Sequence, residues 1–164
     1  LDNIFLINRK EITNKISSNS LVEKYEIFKR YPSALDINID KTKFLARISD
    51  NEKIFIIGSN GKLSENGLSA NRLPFIFGKP DIINFLNFKK IIDSSKFSYD
   101  DIKNLYFFSS KRWDMELNND IIIKLSKNYT EDSLKLAFDF LYNQNLKNIR
   151  IVDARIKNQI ILND

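Results

Sequence analysis

The chain of 164 residues contains no cysteine and no histidine, and it has only 4 glycines and 3 prolines. Without thiolate or imidazole no zinc-type site can be assembled. Cysteine nucleophiles and Ser-His-Asp triads are excluded as well. The commonest general base is missing. The glycines are dispersed, so there is no glycine-rich phosphate cradle. No apolar run approaches the ~18 residues needed to cross a bilayer as a helix. No secretory leader is visible, and the chain starts at Leu1 rather than Met. A piece of a longer protein is therefore the expectation, with any membrane anchor upstream. Cysteine-free sequence is uninformative about compartment.

What is present suits a packed core: 43% of residues are hydrophobic. The net charge is +5, but the lysines are scattered. That implies mild attraction to acidic surfaces and no nucleic-acid footprint, which needs a clustered stripe.

Residues 3–18 start extended and become a weak helix, with Ile12 and Ile16 on one face. Residues 20–40 read as a β-hairpin about Pro32-Ser33, in which Leu35, Ile37 and Ile39 alternate with polar residues as in a half-buried strand. FLARIS (44–49) and KIFIIG (53–58) form a second hairpin, followed by a turn at Asn60-Gly61. Residues 63–80, punctuated by Gly67, Pro74, Gly78 and Pro80, read as loop. A helix covers 81–95, with Pro80 at or just before its first turn. Residues 104–110, 112–118 and 120–126 make a meander, and a helix follows with Thr130 as the expected N-cap. The chain closes with a hairpin over 149–164 that turns at Lys157-Asn158. Its last strand, Gln159–Leu162, is expected at a sheet edge, where unpaired backbone recruits other strands. The order implies an α+β fold with antiparallel or mixed sheets, in two modules meeting near 41–43.

Three groups of residues invite a chemical reading. Asp114 and Glu116 face the same way on one strand, and a carboxylate pair can do glycoside chemistry. Alternation with Trp113, Met115 and Leu117 makes them the expected solvent face instead, which argues against a glycan-cleaving enzyme. Trp113 beside Lys111-Arg112 reads as a core ring flanked by solvated cations rather than a base-stacking site. Asp153 and Arg155 share a strand face two residues apart. They form either a local ion pair worth ~0–1 kcal/mol or a site where Arg155 offers its planar fork to a partner's carboxylate. The residues alone leave both open.

Five segments in order resemble the bacterial FtsQ/DivIB cell-division family: NIFLINRKEI (3–12), KRYPSALDINIDKTKFLARI (29–48), SNGKL with RLPFIFG (59–78), SSKRWDMELNNDIIIKLS (109–126) and IVDAR (151–155). The R-W-D style is closer to the Gram-negative FtsQ branch. Lys41 and Phe44 stand where the family has Glu and Pro, Gly58 where it has Asp, and Asp120 where it has Gly. The resemblance implies the C-terminal part of a POTRA domain (1–42), lacking its first strand and helix. An FtsQ-type β domain (43–164) would follow, mostly antiparallel sheet with flanking helices. It implies a single-pass type II inner-membrane protein whose periplasmic part, this fragment, is a non-enzymatic divisome scaffold without cofactor or metal. The implied partners are FtsB and FtsL, among other divisome proteins, with FtsB adding a strand at the C-terminal edge to support recruitment and control of septal peptidoglycan synthesis. Carried onto this sequence, the partner-binding residues are Arg155, Ile156, Lys157, Asn158, Gln159, Ile160, Ile161 and Leu162, with Arg112 near a second contact. The alternative is a POTRA-type module that chaperones β-rich clients in outer-membrane assembly or secretion.

Overall fold

The computed structural model describes residues 9–32, 34–65, 72–143 and 149–163. The expected extended start over 3–8, Ser33 of the first turn and Gly67 lie outside them.

Helix α1, Arg9–Ser18, sets Ile12 and Ile16 partly buried, as their four-residue spacing predicts. It leads into β1, Val22–Arg30, and β2, Ala34–Lys41, paired antiparallel so that Tyr25 faces Ile39 and Ile27 faces Ile37. The hairpin is as expected; its burial is not. Ile37 and Ile39 are 40% and 49% exposed. Among the described residues α1 is the one helix with extensive contact to this ribbon, and two strands without a full second layer bury little of a face.

The remaining strands form one nine-stranded sheet. β3, Phe44–Asp50, and β4, Lys53–Gly58, make the expected hairpin. Asn51 and Glu52 both take the left-handed backbone that a tight primed turn demands. β5, Leu63–Ser64, follows the Asn60-Gly61 turn. β6, Phe75–Phe77, corrects the loop reading of 63–80: it is an interior strand, parallel to both neighbours. Three residues between Pro74 and Gly78 are too few to show a strand period. Gly78 is required where it stands. Its φ is +99°, and a Cβ there would lie 2.2 Å from the Phe107 carbonyl oxygen.

Helix α2, Ile82–Asp93, is capped by Asp81, whose carboxylate accepts from the Asn84 amide at 2.7 Å. The meander comprises β7, Ile102–Phe107, β8, Trp113–Leu117, and β9, Ile122–Leu125. Helix α3, Thr130–Asn143, then crosses over to β10, Ile151–Ala154, parallel to β9. Thr130 is not a side-chain N-cap: it is the first helical residue, and its hydroxyl donates to the Ser126 carbonyl. β11, Ile161–Asn163, closes the chain.

The strand order is β11-β10-β9-β8-β7-β6-β3-β4-β5, mostly antiparallel, so the fold is α+β. Strands alternate their faces. One face sends Ile48, Ile76, Leu105, Met115, Ile123 and Val152 into the core beneath α2 and α3. Trp113 is 7% exposed and stacks on Phe88 at 4.7 Å, with Phe85 and Phe107 around it. The ribbon is tied to the sheet at one point. Asn60 Nδ2 donates to the Ser20 and Val22 carbonyls at 2.9 Å each, and the Ser59 hydroxyl donates to Glu23 at 2.8 Å.

Candidate functional site

β11 lies at one end of the sheet, paired on one side only. Ile161 faces Asp153, Leu162 faces Val152 and Asn163 faces Ile151. The strand starts two residues later than Gln159 and ends one later than Leu162: Gln159 and Ile160 precede it, the Gln159 amide donates to the Ile156 carbonyl, and Asn158 holds a φ of +60°. The link thus takes in Gln159 and Ile160, which the sequence reading placed in the strand. Ile160 packs against the core, whereas Ile156, Ile161 and Leu162 are 50%, 47% and 40% exposed. The edge is therefore apolar, short and uncovered among the described residues.

The helix-free face carries a row of charges across three strands. Asp114 on β8 faces Lys124 on β9, which faces Asp153 on β10. Each aspartate holds an arginine two residues away. Arg155 Nε and Nη2 donate to Asp153 at 2.8 and 2.5 Å. Arg112 Nε and Nη2 donate to Asp114 at 3.1 and 3.2 Å, with the guanidinium 4.3 Å from the Phe108 ring centre. Because β8 runs antiparallel to β9 and β10, Arg112 before β8 and Arg155 after β10 come to the same end of the sheet. Two strand spacings separate them, about 10 Å. In both, Nη1 has no acceptor among the described residues, so each fork is oriented by its aspartate and keeps donors for another anion. The Tyr129 ring with Lys157 5.0 Å from its centre stands beside the turn.

The two aspartates differ electrostatically. Burial pushes the Asp153 carboxyl up, but the Arg155 bonds outweigh it and hold the group below the usual carboxylate range. For Asp114 burial wins: its carboxyl is raised despite Arg112, the Leu125 amide bond and the nearby charge of Arg155. Asp114 is 3% exposed, which corrects its assignment to a solvent face. Its oxygens serve the interior, accepting the buried Leu125 amide at 3.1 Å. Nor is Glu116 simply solvated. It accepts from Asn104 at 2.9 Å and Tyr106 at 2.5 Å, and pairs with Lys103 at 3.2 Å. Asp114 and Glu116 are thus occupied by structural partners.

No protein-family model matches the chain. Curated relatives do. The cell division protein FtsQ of Rickettsia bellii is 28% identical over 165 residues, which is 95% of this chain and 60% of the relative. FtsQ of Rickettsia felis is 24% identical over 164 residues, with the same coverage. The chain is a relative of FtsQ. It spans about 60% of the length of the FtsQ proteins it matches. A solved structure is also similar: the major extracytoplasmic domain of the trans isomer of the cell division protein DivIB from Geobacillus stearothermophilus. That match covers 66% of this chain and 99% of the other at TM-score 0.45 and 14% identity.

Of the residues the FtsQ resemblance singled out, the structure gathers Arg155, Ile156, Lys157, Asn158, Gln159 and Ile160 in one link, Ile161 and Leu162 on the edge strand, and Arg112 at the same sheet end. The sequence reading paired Asp153 with Arg155 but missed Asp114 as the partner that orients Arg112, and Lys124 as the cation set between the two aspartates. Each pair is local, but only strand register aligns the two pairs on either side of Lys124. Among the described residues no helix is long and apolar enough to cross a membrane.

Proposed function

We propose that this chain is a piece of a non-enzymatic cell-division scaffold that binds the FtsB–FtsL pair by accepting an FtsB strand on β11. One observation carries the reading: the sheet ends on an apolar strand whose outer side is unpaired among the described residues, with two aspartate-oriented arginines at the end of the sheet where that strand begins. Strand addition takes affinity from main-chain hydrogen bonds and specificity from alternate side chains. Exposed Ile161 would contribute apolar contact on one face of the new strand and Leu162 on the other. The free Nη1 groups of Arg155 and Arg112 would read acidic residues of the incoming chain. Residues 1–42 belong in this reading to a POTRA domain and 43–164 to the β domain. The whole protein would be a single-pass type II inner-membrane protein, with this part periplasmic and other divisome proteins as further partners.

The test uses strand parity. Along an antiparallel edge, successive backbone N–H groups point alternately inward and outward. Proline is introduced separately at Ile161 and at Leu162, and binding to the FtsB–FtsL complex of the source organism is measured beside thermal stability. One variant removes an inward donor and loses stability. The other removes an outward donor, keeps stability and loses binding by about tenfold or more, the scale of one or two unmade hydrogen bonds. If the variant that keeps its stability binds like the parent, β11 is not the docking edge. Arg155→Glu should weaken the same binding; a loss of stability alone would limit Arg155 to its pair with Asp153.

A further inference from the structure

At the other end of the helix-free face is a cleft of about 730 Å³, lined by Arg47 of β3, Arg72 and Leu73 before β6, and Lys103 and Asn104 of β7, with Asp100 at its rim. It lies several strands from β11 and shares no residue with that edge. We propose that this cleft is a second binding site, for a carboxylate of an acidic peptide.

Arg47 is held ready for such a group. Its Nε donates to the Leu73 carbonyl at 3.1 Å and its guanidinium lies 5.7 Å from the Phe75 ring centre, which fixes the plane of the fork. Both Nη groups then lack an acceptor among the described residues, and neither is sealed from solvent. Arg72 is exposed and forms no ion pair among the described residues. Two guanidinium groups free of carboxylates in one concave site match the bidentate geometry of a carboxylate. Lys103 does not add to the attraction, because Glu116 and Asp120 already hold it at 3.2 and 2.5 Å. With Asp100 at the rim, these acids keep the local field close to neutral. In that field a single carboxylate, with one charge to desolvate and two oxygens for a guanidinium fork, is accommodated better than a compact phosphate dianion.

The test is a titration of the isotope-labelled chain, followed by backbone amide shifts, with acetylated and amidated tri-glutamate. Tri-glutamine, acetyl-tri-alanine with a free carboxyl end, and inorganic phosphate serve as comparisons. Tri-glutamate should shift the amides of Arg47, Lys103 and Asn104 and leave those of β11 in place, and tri-glutamine should not. Binding of acetyl-tri-alanine as tight as that of tri-glutamate would assign the carboxylate to a chain terminus; weaker binding assigns it to a side chain. Arg72→Gln, at an exposed position, should weaken tri-glutamate binding about tenfold, the scale of one charge-assisted pair. Asp100→Asn should strengthen it, and Arg155→Glu should leave it unchanged. Unaltered binding by Arg72→Gln overturns the site. Phosphate binding as tight as that of tri-glutamate overturns the carboxylate assignment.

Discussion

Asp114 is the sharpest place to test whether the helix-free face is built or merely wetted. Its side chain is 4% exposed, accepts the amide of fully buried Leu125, and pairs with Arg112, whose side chain is 23% exposed. In Asp114→Ala the Leu125 amide loses its acceptor in a dry setting, a cost of about 1–3 kcal/mol. The Arg112 charge adds little, because a partly exposed guanidinium can turn to water. Asp114→Asn keeps an acceptor for Leu125 and removes the charge. Since burial raises the Asp114 carboxyl, the folded environment disfavours its ionised form, and the amide should be neutral or slightly stabilising at pH 7. Urea unfolding measures both. With a slope of about 2 kcal/mol per molar, Asp114→Ala lowers the midpoint by about 0.5–1.5 M and Asp114→Asn leaves it in place or raises it. The sign with pH follows. A raised folded pKa gives stability that is full below the unfolded carboxylate value near 4 and is lost as pH rises through the folded value. The advantage of Asn over the parent should therefore grow as pH rises from 4 towards neutrality. Equal loss in Asn and Ala variants would show that charge, not the amide acceptor, matters. No effect in either would return Asp114 to the solvated role that alternation suggests.

Gly78→Ala places a methyl 2.2 Å from the Phe107 carbonyl oxygen at a φ of +99°. A cost of about 3 kcal/mol or more is expected, seen as a fall of the melting temperature by roughly 6–12 °C. An unchanged melting temperature would mean that β6 does not approach β7 as described. On the acid side, Asp153 and Glu116 are both held below the ordinary carboxylate range. Their contribution is present above the unfolded values near 4 and disappears as pH falls through the folded ones. Asp153→Asn should accordingly flatten the loss of stability below about pH 4 in denaturant midpoints measured against pH, and an unaltered slope would refute the pair with Arg155.

The residues themselves determined most of the elements. Alternation set β3, β4 and β8 and the ribbon β1–β2, helical spacing set α2 and α3, and Asn-rich turns set the meander, because each is a local choice between two periods. The terminal strand and the Asp153–Arg155 proximity were legible for the same reason, and the family resemblance added Arg112. Tertiary structure decided what those elements do. β6 is only three residues long and becomes a strand because β3 and β7 supply partners on both sides. The Ile37 and Ile39 face looks buried by pattern yet is 40% and 49% exposed among the described residues, because burial belongs to whatever packs on a face. Asp114 reads as solvent-facing, but strand register sets it against Lys124 and gives it an amide to hold. Register is a long-range property, fixed by the packing of the whole sheet. It alone brings Arg112 and Arg155, 43 positions apart in the chain, to the same end of one sheet.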